Sequence, residues 1–590
     1  MGRHVEAGAA VASSRSGPGR RGVSAYVPIL SWLPRYQPEW LRYDIVAALS
    51  VWALLVPQGI AYASIAGVPA QYGLYAALGS ALAYGLFATA AQVVTGPSAA
   101  IAAVSASSVA LWAAAGSSEW VTLTATLAVS AGVIYILLGL IRMGWVANFL
   151  SGAVLSGFVF GFGIGLIVDQ TPKILGVPKA EGSYFQVLLG VIRTLPETHL
   201  LTLVVGAIAI ALLLLMRRVA PRLPRTIIVV ALGVVASTAL GLGGRGVEIV
   251  GPIPTGLPTI VLPTLSGVGL FELLFASLAV IFIGFSESLA AAKAQGAKHG
   301  YEIDSSQEMI AQGAANAASG LVGGFAVEGS LSKTAVADQA GQKTQLASLI
   351  TGGLIILTVI FLAGLFESLP QAVLGAVVID AGISLVKFED LRHYRLSRRD
   401  IAAFGATALA VFFVGVLAGV VAGVLVSLLL LIAAASRSPT RLMAFDRGEN
   451  AYVHADRHPD AELTPGIVVA GIHGPLFFAD AEDFRRSVVE FVRTQQPHTV
   501  VIDMRAVIMM DMDGDRMLSK LATELQGKDV KILLVNPGAD NLNLMRQTGT
   551  LDEIGPENVH RTVRGAVAAA KDDRNRASPG PRASNRVRTT

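Results

Sequence analysis

Long apolar runs separated by short polar stretches fill roughly the first three quarters of the chain. A membrane-spanning helix needs about 20 apolar residues, so each run of this kind predicts one transmembrane segment. A Pro- and Gly-rich connector at 251–267 divides the runs into two sets of seven, which predicts repeats at 44–242 and 270–437. The fourteen runs are 44–66, 70–90, 97–114, 120–141, 147–168, 199–218, 226–242, 270–293, 307–324, 325–341, 345–366, 370–387, 400–416 and 418–436.

The pattern changes near residue 442, where charged residues become frequent and apolar runs shorten to strand length. Runs such as "TVVIDMRAV" and "DVKILLVN" alternate with amphipathic stretches such as "EDFRRSVVEFVRT". This alternation is typical of a small α/β domain, predicted at 445–572 after a transmembrane domain at 28–440. The tails at 1–27 and 573–590 have no apolar residues to bury and are predicted to be disordered.

Composition agrees with a protein embedded in lipid. Hydrophobic residues make up 53% of the chain and charged residues 15%, and the mean hydropathy is +0.60. Soluble domains carry about 25% charged residues. The net charge of +4 gives no reason to expect a nucleic-acid partner, and the absence of cysteine excludes disulfides and thiolate metal sites.

Basic residues predict the orientation of the segments. Fourteen segments place both termini on one side, and the Lys- and Arg-rich loops fall on that side, so both termini are predicted to be cytoplasmic. The basic positions include Arg142, Arg217, Arg218, Arg222, Arg225, Lys293, Lys298, the run 387–399, Arg437 and Arg441.

Two segments at matching places in the repeats are broken by small residues. The third begins "AQVVTGPSAAIAAV" and the tenth begins "GGFAVEGSLSKTAV", so that Gly96 and Gly329 each separate an extended stretch from a helix. Interrupted segments in corresponding positions of two halves indicate the binding site of a transporter. The second repeat enters the membrane from the opposite face, so the two half-helices meet at their N-termini. Unpaired N–H groups and the helix dipoles favour an anion there.

Hydroxyl groups and one cation strengthen the prediction of an anion site. Ser98, Ser330 and Ser332 offer donors beside the two breaks, and Lys333 adds a full positive charge. A bland interpretation is that the serines serve close helix packing and that the lysine extends towards an interface. A charge near the middle of the membrane costs from about 2.5 to more than 10 kcal/mol, which favours a functional role for Lys333.

Several longer motifs resemble the SulP (sulfate permease) anion transporters, the group that includes prestin. The resemblance covers about residues 28–572 and implies a seven-plus-seven inverted repeat, a core domain that moves against a gate domain, a C-terminal STAS domain and a dimer. The matching stretches are "VPQGIAYASIAGVPAQYGLYAAL", "TGPSAA", "FSESLAAAKA", "GSLSKTAVADQAGQKTQLASL" and "LFESLPQAVLGAVVI".

The resemblance implies an anion site among the first, third, eighth and tenth segments. Some relatives carry an aromatic residue where this chain has Ser98, so the pocket is expected to be roomier and more polar, as suits an oxyanion. Many relatives carry arginine where this chain has Lys333, which keeps the charge but loses the planar fork. The residues expected to bind substrate are Gln58, Tyr62, Gly96, Ser98, Gly329, Ser330, Ser332 and Lys333.

Two glutamates lie in or beside these segments. Glu287 lies in the eighth segment and is predicted to carry a proton, because burial and a nearby cation pull the protonation of a carboxyl in opposite directions. The alternatives are a structural ion pair with Lys333 and a sodium site, the latter disfavoured by the alanines one turn further on. For Glu328 three placements stay open: pointing away, pairing locally, or competing with Glu287 for the proton. Asp338 and Lys343, further along, are expected to be solvated.

The stretch "VVIDMRAVIMMDMDGDRML" resembles the STAS signature. Many STAS domains have a phosphorylatable Ser or Thr before the glycine, but here Asp513 precedes Gly514, which rules out phosphorylation at that position. The loop lacks a glycine-rich phosphate cradle and the ligand spacing of a calcium loop. A dimerisation and regulatory module is predicted.

Together these features predict a secondary active anion transporter rather than an enzyme, most simply proton-coupled sulfate uptake by alternating access. It is expected to be a homodimer in the lipid bilayer of a bacterial inner (plasma) membrane, with no cofactor, metal or nucleic acid. Bicarbonate or dicarboxylate transport on the same site and uncoupled exchange or channel activity are the alternatives. A sensor that does not transport and a nucleobase permease are the more distant classes.

Overall fold

The computed structural model describes residues 26–144, 151–220, 225–264, 267–435 and 440–577. The chain divides into two compact units at Leu428 and Leu429. Of the two predicted disordered tails, 1–25 and 578–590 lie outside the described residues, whereas 573–577 are the end of a helix, so the second tail was predicted to begin too early.

The first unit is helical, and each of the fourteen predicted segments contains one helix. Two further helices, α6 and α14, lie between predicted segments. The elements are α1 (Leu41–Ala66), α2 (Ala70–Phe87), β1 (Thr95–Gly96), α3 (Ala99–Val109), α4 (Ser118–Leu140), α5 (Gly152–Leu175), α6 (Tyr184–Thr194), α7 (Leu200–Val219), α8 (Arg225–Leu240), α9 (Leu270–His299), α10 (Ser305–Leu321), β2 (Glu328–Gly329), α11 (Leu331–Gln339), α12 (Leu346–Leu357), α13 (Gln371–Leu385), α14 (Phe388–Tyr394), α15 (Arg398–Phe413) and α16 (Val416–Ala435).

The described residues contain 7 helices that are long and apolar enough to cross a membrane by length and composition. The segments that contain α3 and α11 are different, because each begins as an extended chain and only then becomes a helix of 11 or 9 residues. These two half-helices are the broken segments predicted around Gly96 and Gly329. The predicted class, a polytopic helical membrane protein with an α/β domain, is confirmed.

The helices pack in two groups that each draw on both halves of the unit. Helices α1–α4 pack with α9–α12, whereas α5 and α7 pack with α13 and α15. Small residues allow the closest approaches: a Cβ atom at Gly132 of α4 would lie 2.5 Å from the backbone nitrogen of Ala317 in α10. The corresponding helices of each half therefore join the same group.

The second unit is a six-stranded mixed sheet with helices on it. Its strand order is β4-β3-β5-β6-β7-β8, with β3 antiparallel to both neighbours and β5 to β8 parallel. The parallel strands β5, β6 and β7 are the apolar runs seen in the sequence, whereas the β3–β4 hairpin was not predicted. The elements are β3 (Thr440–Asp446), β4 (Ala451–His454), β5 (Ile467–Ile472), α17 (Ala481–Gln495), β6 (Thr499–Asp503), α18 (Met512–Gln526), β7 (Lys531–Val535), α19 (Ala539–Thr548), α20 (Thr550–Ile554), β8 (Val559–His560) and α21 (Val563–Ala577).

Asp511, in the acidic loop of this unit, caps the N-terminus of α18. The Asp511 carboxylate accepts hydrogen bonds from the backbone nitrogens of Asp513 and Gly514, at 3.1 and 2.8 Å. Asp513 lies exposed in the first turn of α18, where a negative charge is favourable.

Candidate functional site

The two broken segments meet as a short antiparallel strand pair. Thr95 lies opposite Gly329 and Gly96 opposite Glu328. One further backbone hydrogen bond, from Ser330 N to Val94 O at 3.1 Å, continues the pairing. Because α3 and α11 start directly after the strands, their N-terminal ends meet at this pair.

The extended chain before β1 is held by side chains from the other half. The side-chain nitrogen of Gln345 donates to the carbonyl oxygens of Ala90 and Val93 at 2.5 and 2.9 Å, and that of Gln342 donates to Ala91 at 2.7 Å. Buried backbone groups need such partners where no regular structure supplies them. The "QKTQ" stretch therefore completes the break in the first repeat.

Glu308 on α10 accepts hydrogen bonds from backbone N–H groups of the same extended chain. Its carboxylate accepts from the backbone nitrogens of Thr89 and Ala90, each at 2.8 Å, and from the Tyr84 hydroxyl at 2.6 Å. The Thr89 hydroxyl donates to it as well. This buried carboxylate is thus fully engaged in structure.

The extended chain before β2 is held in the same way by α10. Asn316 accepts from the backbone nitrogen of Val327 and donates to its carbonyl oxygen, both at 2.9 Å, and Gln312 donates to that carbonyl at 2.8 Å. Ser319 donates to the carbonyl oxygen of Phe325 at 2.5 Å. One helix therefore supports both breaks.

Lys333 lies at the junction of the two half-helices. Its side chain is 2% exposed, and its ammonium group donates a hydrogen bond to the carbonyl oxygen of Pro97, in the opposite broken segment. A Cβ atom at Gly96 would lie 3.7 Å from the Lys333 nitrogen and 2.9 Å from Leu55 Cδ1. Glycine at 96 therefore keeps the space beside the cation open.

The polar side chains around Lys333 are engaged with one another. The Ser98 hydroxyl donates to the carboxylate of Glu328 and accepts from the backbone nitrogen of Ile101 at 3.3 Å. Ser330 and Ser332 share a hydrogen bond of 3.0 Å, with Ser330 buried and Ser332 exposed. Ser98, predicted as a free donor for substrate, thus already serves a carboxylate.

Helix α9 brings its polar turn to β2. The backbone nitrogen of Gly329 donates to the Ser288 hydroxyl at 2.7 Å, and a Cβ atom at Gly329 would lie 3.1 Å from the Ser288 side chain. Glu287, the neighbour of Ser288 on α9, is half-buried, and its carboxyl lies within hydrogen-bonding reach of the Glu328 carboxyl. Glu328 therefore pairs locally instead of pointing away.

Helix α1 supplies the remaining predicted residues. Tyr62 is buried within electrostatic range of Glu287 and Glu328. Gln58 is half-buried, one turn beyond Leu55, whose side chain packs against Gly96. The structure thus places all of the predicted site residues on the four elements expected, around β1 and β2.

Two expectations near the site need revision. Asp338, expected to be solvated, has a side chain only 7% exposed that pairs with Lys298 and, at 2.8 Å, with His299. Lys343, expected to be solvated as well, is half-buried with its ammonium 5.4 Å from the centre of the Tyr43 ring. Asp338 thus ties the last turn of α11 to the end of α9, and Lys343 packs the chain after α11 against α1.

The supporting residues of α10 were missed by the sequence analysis, although a signal was present. Glu308, Gln312 and Asn316 recur every four residues in a segment assigned only as a transmembrane span. Polar residues at that spacing share one face of a helix. A polar face on a membrane helix indicates groups that need hydrogen bonds, here the two extended chains.

Comparison with known proteins agrees with this architecture. The sequence profile of the sulfate permease family matches residues 41–407, and that of the STAS domain matches 458–566. A protein of Mycobacterium tuberculosis named a probable sulfate transporter is 34% identical over 92% of this chain and 98% of its own length. The chloroplastic sulfate transporter 4.1 of Arabidopsis thaliana is 27% identical over 91% of this chain and 81% of its own length. The murine solute carrier 26 member A9 anion transporter, solved in an inward-facing state, superposes with a TM-score of 0.87 at 27% identity, covering 95% of this chain and 96% of that one.

Proposed function

The chain belongs to the sulfate permease family, and from this premise we propose that it takes up an inorganic oxyanion, sulfate, coupled to protons. The observation that carries the proposal is the buried ammonium of Lys333 at the meeting point of the two half-helix N-termini. The relatives named as sulfate transporters support the choice of substrate.

The groups around Lys333 suit an oxyanion. Two helix starts direct partial positive charge towards one point, and Lys333 adds a full charge there. In this proposal Ser98, Ser330 and Ser332 add hydroxyl groups that can donate to the anion. A tetrahedral oxyanion accepts several hydrogen bonds at once, whereas a small halide would leave some of these donors without an acceptor. Gln58, Tyr62, Gly96 and Gly329 shape the cavity in this proposal.

Proton coupling is assigned to Glu287. Its carboxyl is half-buried on α9 and within electrostatic range of Lys333. Arrival of a negative substrate beside Lys333 removes the advantage of an ionised carboxyl and favours its protonation. Uptake of the anion is thereby linked to uptake of a proton. The group formed by α1–α4 and α9–α12 carries both across the membrane by moving against the group that contains α5, α7, α13 and α15.

The remaining proposals concern placement and assembly. We place both termini in the cytoplasm of a bacterial cell, with the transporter in the plasma membrane, on the basis of the basic loops. The assembly is proposed to be a homodimer, with the STAS unit as its regulatory module. The boundaries 28–440 and 445–572 are proposed for the two domains.

Uptake of radiolabelled sulfate into proteoliposomes tests the function. An inward proton gradient should accelerate uptake and drive accumulation, and selenate should compete with sulfate. Equal uptake with and without the gradient would contradict coupling. Competition by bicarbonate or succinate but not by selenate would contradict the assignment of the substrate.

The variant Glu287→Gln separates transport from coupling. It should exchange internal for external sulfate at near the wild-type rate yet fail to accumulate sulfate under a proton gradient. If it still concentrates sulfate, Glu287 is structural. Glu119→Gln, at the start of α4, is the matched control and should accumulate sulfate normally.

A further inference from the structure

Glu328 lies at the centre of the site, although no role was assigned to it. It is 1% exposed, belongs to β2 and lies opposite Gly96. A Cβ atom added at Gly284 would lie 3.5 Å from the Cβ atom of Glu328, so the Glu328 side chain packs along α9. One carboxylate oxygen accepts from Ser98, whereas the other, Oε2, is buried without a hydrogen-bond donor among the described residues.

The neighbouring carboxyl explains the unpartnered oxygen. Glu287 lies within hydrogen-bonding reach of Glu328, and two carboxylates can form a hydrogen bond only when one of them is protonated. Two adjacent carboxylates repel each other, and the repulsion is strong where little water screens it. One proton held between Glu287 and Glu328 satisfies Oε2 and removes the repulsion.

The charges of the empty site then balance. The pair with one proton carries a single negative charge, and Lys333 carries a single positive one. Among the residues that the structure describes, the other titratable groups that face Glu328 are the phenols of Tyr62 on α1 and Tyr135 on α4, which are neutral at physiological pH. Sulfate would add two negative charges, so its arrival favours a further proton on the pair.

Ser98 provides the geometric link between the carboxyl and the substrate. Its hydroxyl has one proton to donate, and Glu328 receives it. An oxyanion that enters beside Lys333 needs the same donor. The carboxylate and the substrate therefore compete for one hydroxyl group and one cation.

We propose that Glu328 is the internal anion of the site: it shares one proton with Glu287 when the site is empty, and it takes up a second proton before an oxyanion replaces it at Ser98. The second proton comes from the water that delivers the anion and leaves with it on the opposite side. This inference rests on the proposed function and makes the acid pair, instead of Glu287 alone, the proton carrier.

The first test measures the protons taken up per sulfate bound, by calorimetry of the full-length purified protein in two buffers of different ionisation enthalpy. We expect the wild type to take up about one proton per sulfate near pH 8. The double variant Glu287→Gln/Glu328→Gln keeps the size of both side chains but has no carboxyl to ionise. It should take up no proton and bind sulfate about tenfold more tightly than the wild type at that pH, because its competent state is always populated.

A control and a contrary result define this test. Glu197→Gln, an exposed position outside the helical core, should retain the wild-type proton uptake and affinity. If the double variant keeps the wild-type proton uptake, the acid pair is not the proton carrier and the proposal is overturned.

The second test needs no substrate. Infrared spectra of the wild type without sulfate should contain the band of a protonated carboxyl at neutral pH, and both Glu328→Gln and Glu287→Gln should lose it. Persistence of the band in both variants would overturn the shared proton. If the wild type binds no oxyanion at all, the proposed function fails, and this measurement still decides whether the acid pair exists.

Discussion

The ammonium group of Lys333 donates its hydrogen bond to the carbonyl oxygen of Pro97, so the cation of one half-helix is held by the chain that leads into the other. The contact joins positions 236 residues apart in the sequence. This hydrogen bond therefore joins the two repeats at Lys333.

Removal of the cation should weaken sulfate binding. Lys333→Ala is expected to raise the concentration of sulfate needed for half-maximal uptake by about tenfold to a hundredfold, because a hydrogen bond to a charged group contributes about 1.5–3 kcal/mol. Lys333→Arg keeps the charge and should retain part of the uptake. Initial rates of labelled sulfate uptake measure both. Lys343→Ala, which removes another half-buried ammonium, is the control and should behave as wild type.

Glycine at 96 should matter for substrate more than for folding. A Cβ atom there would approach Leu55 Cδ1 to 2.9 Å and fill the space beside Lys333. Gly96→Ala is expected to weaken sulfate binding several-fold, while the protein still elutes as a folded species in size-exclusion chromatography. Gly353→Ala on α12 is the matched control, because nothing lies within 4 Å of the added atom. Equal affinity in the two variants would contradict a substrate beside Gly96.

The carboxylate of Glu308 should be a stabilising group with no part in coupling. Glu308→Ala removes the acceptor of the buried N–H group of Ala90, at a cost of about 1–3 kcal/mol. The apparent melting temperature in detergent should fall by several degrees. Glu302→Ala, at an exposed position just before α10, should leave the melting temperature unchanged. A variant at 308 that melts as wild type would contradict this role.

The second unit should lose stability in acid at one end of its sheet. His454 and His473 lie with their Nε2 atoms 3.0 Å apart, and the pKa of His454 is lowered by burial and, further, by His473 and Arg441. The folded state binds the proton less readily than the unfolded chain, so its stability is lost as pH falls below the ordinary histidine pKa of about 6.5.

Amide hydrogen exchange of the full-length protein measures this loss. Exchange in β4 should be faster at about pH 5.5 than at about pH 7.5, after correction for the intrinsic rate. His454→Gln removes the titrating group and should remove the extra acceleration. Acceleration of the same size in this variant would assign the effect to another group.

The arrangement of helices was predictable because it depends on local composition. Apolar length predicted fourteen segments, and the small residues at Gly96 and Gly329 marked where two of them break. The partners of the broken chains were not predictable in this way. Gln342 and Gln345 act on residues about 250 positions earlier, and nothing local to either stretch encodes that distance.

The site was predictable in its residue types but not in its connections. Lys333 stood out because a charge is costly in a membrane helix. No role could be predicted for Glu328 from the sequence, because a carboxylate next to an anion site, considered without its neighbours, would repel the ligand. Only in the folded chain do Ser98 and Glu287 flank that carboxylate and give it partners.

The support of the first break by the second repeat has a consequence for synthesis of the protein. The carbonyl groups of Ala90, Ala91 and Val93 have no glutamine to bind until residue 345 has left the ribosome. Insertion of the early helices can proceed, but the centre of the molecule stays unfinished until most of the membrane domain has been translated. A nascent chain truncated before Gln342 should therefore be retained by the insertion machinery or degraded instead of accumulating as a stable half-transporter.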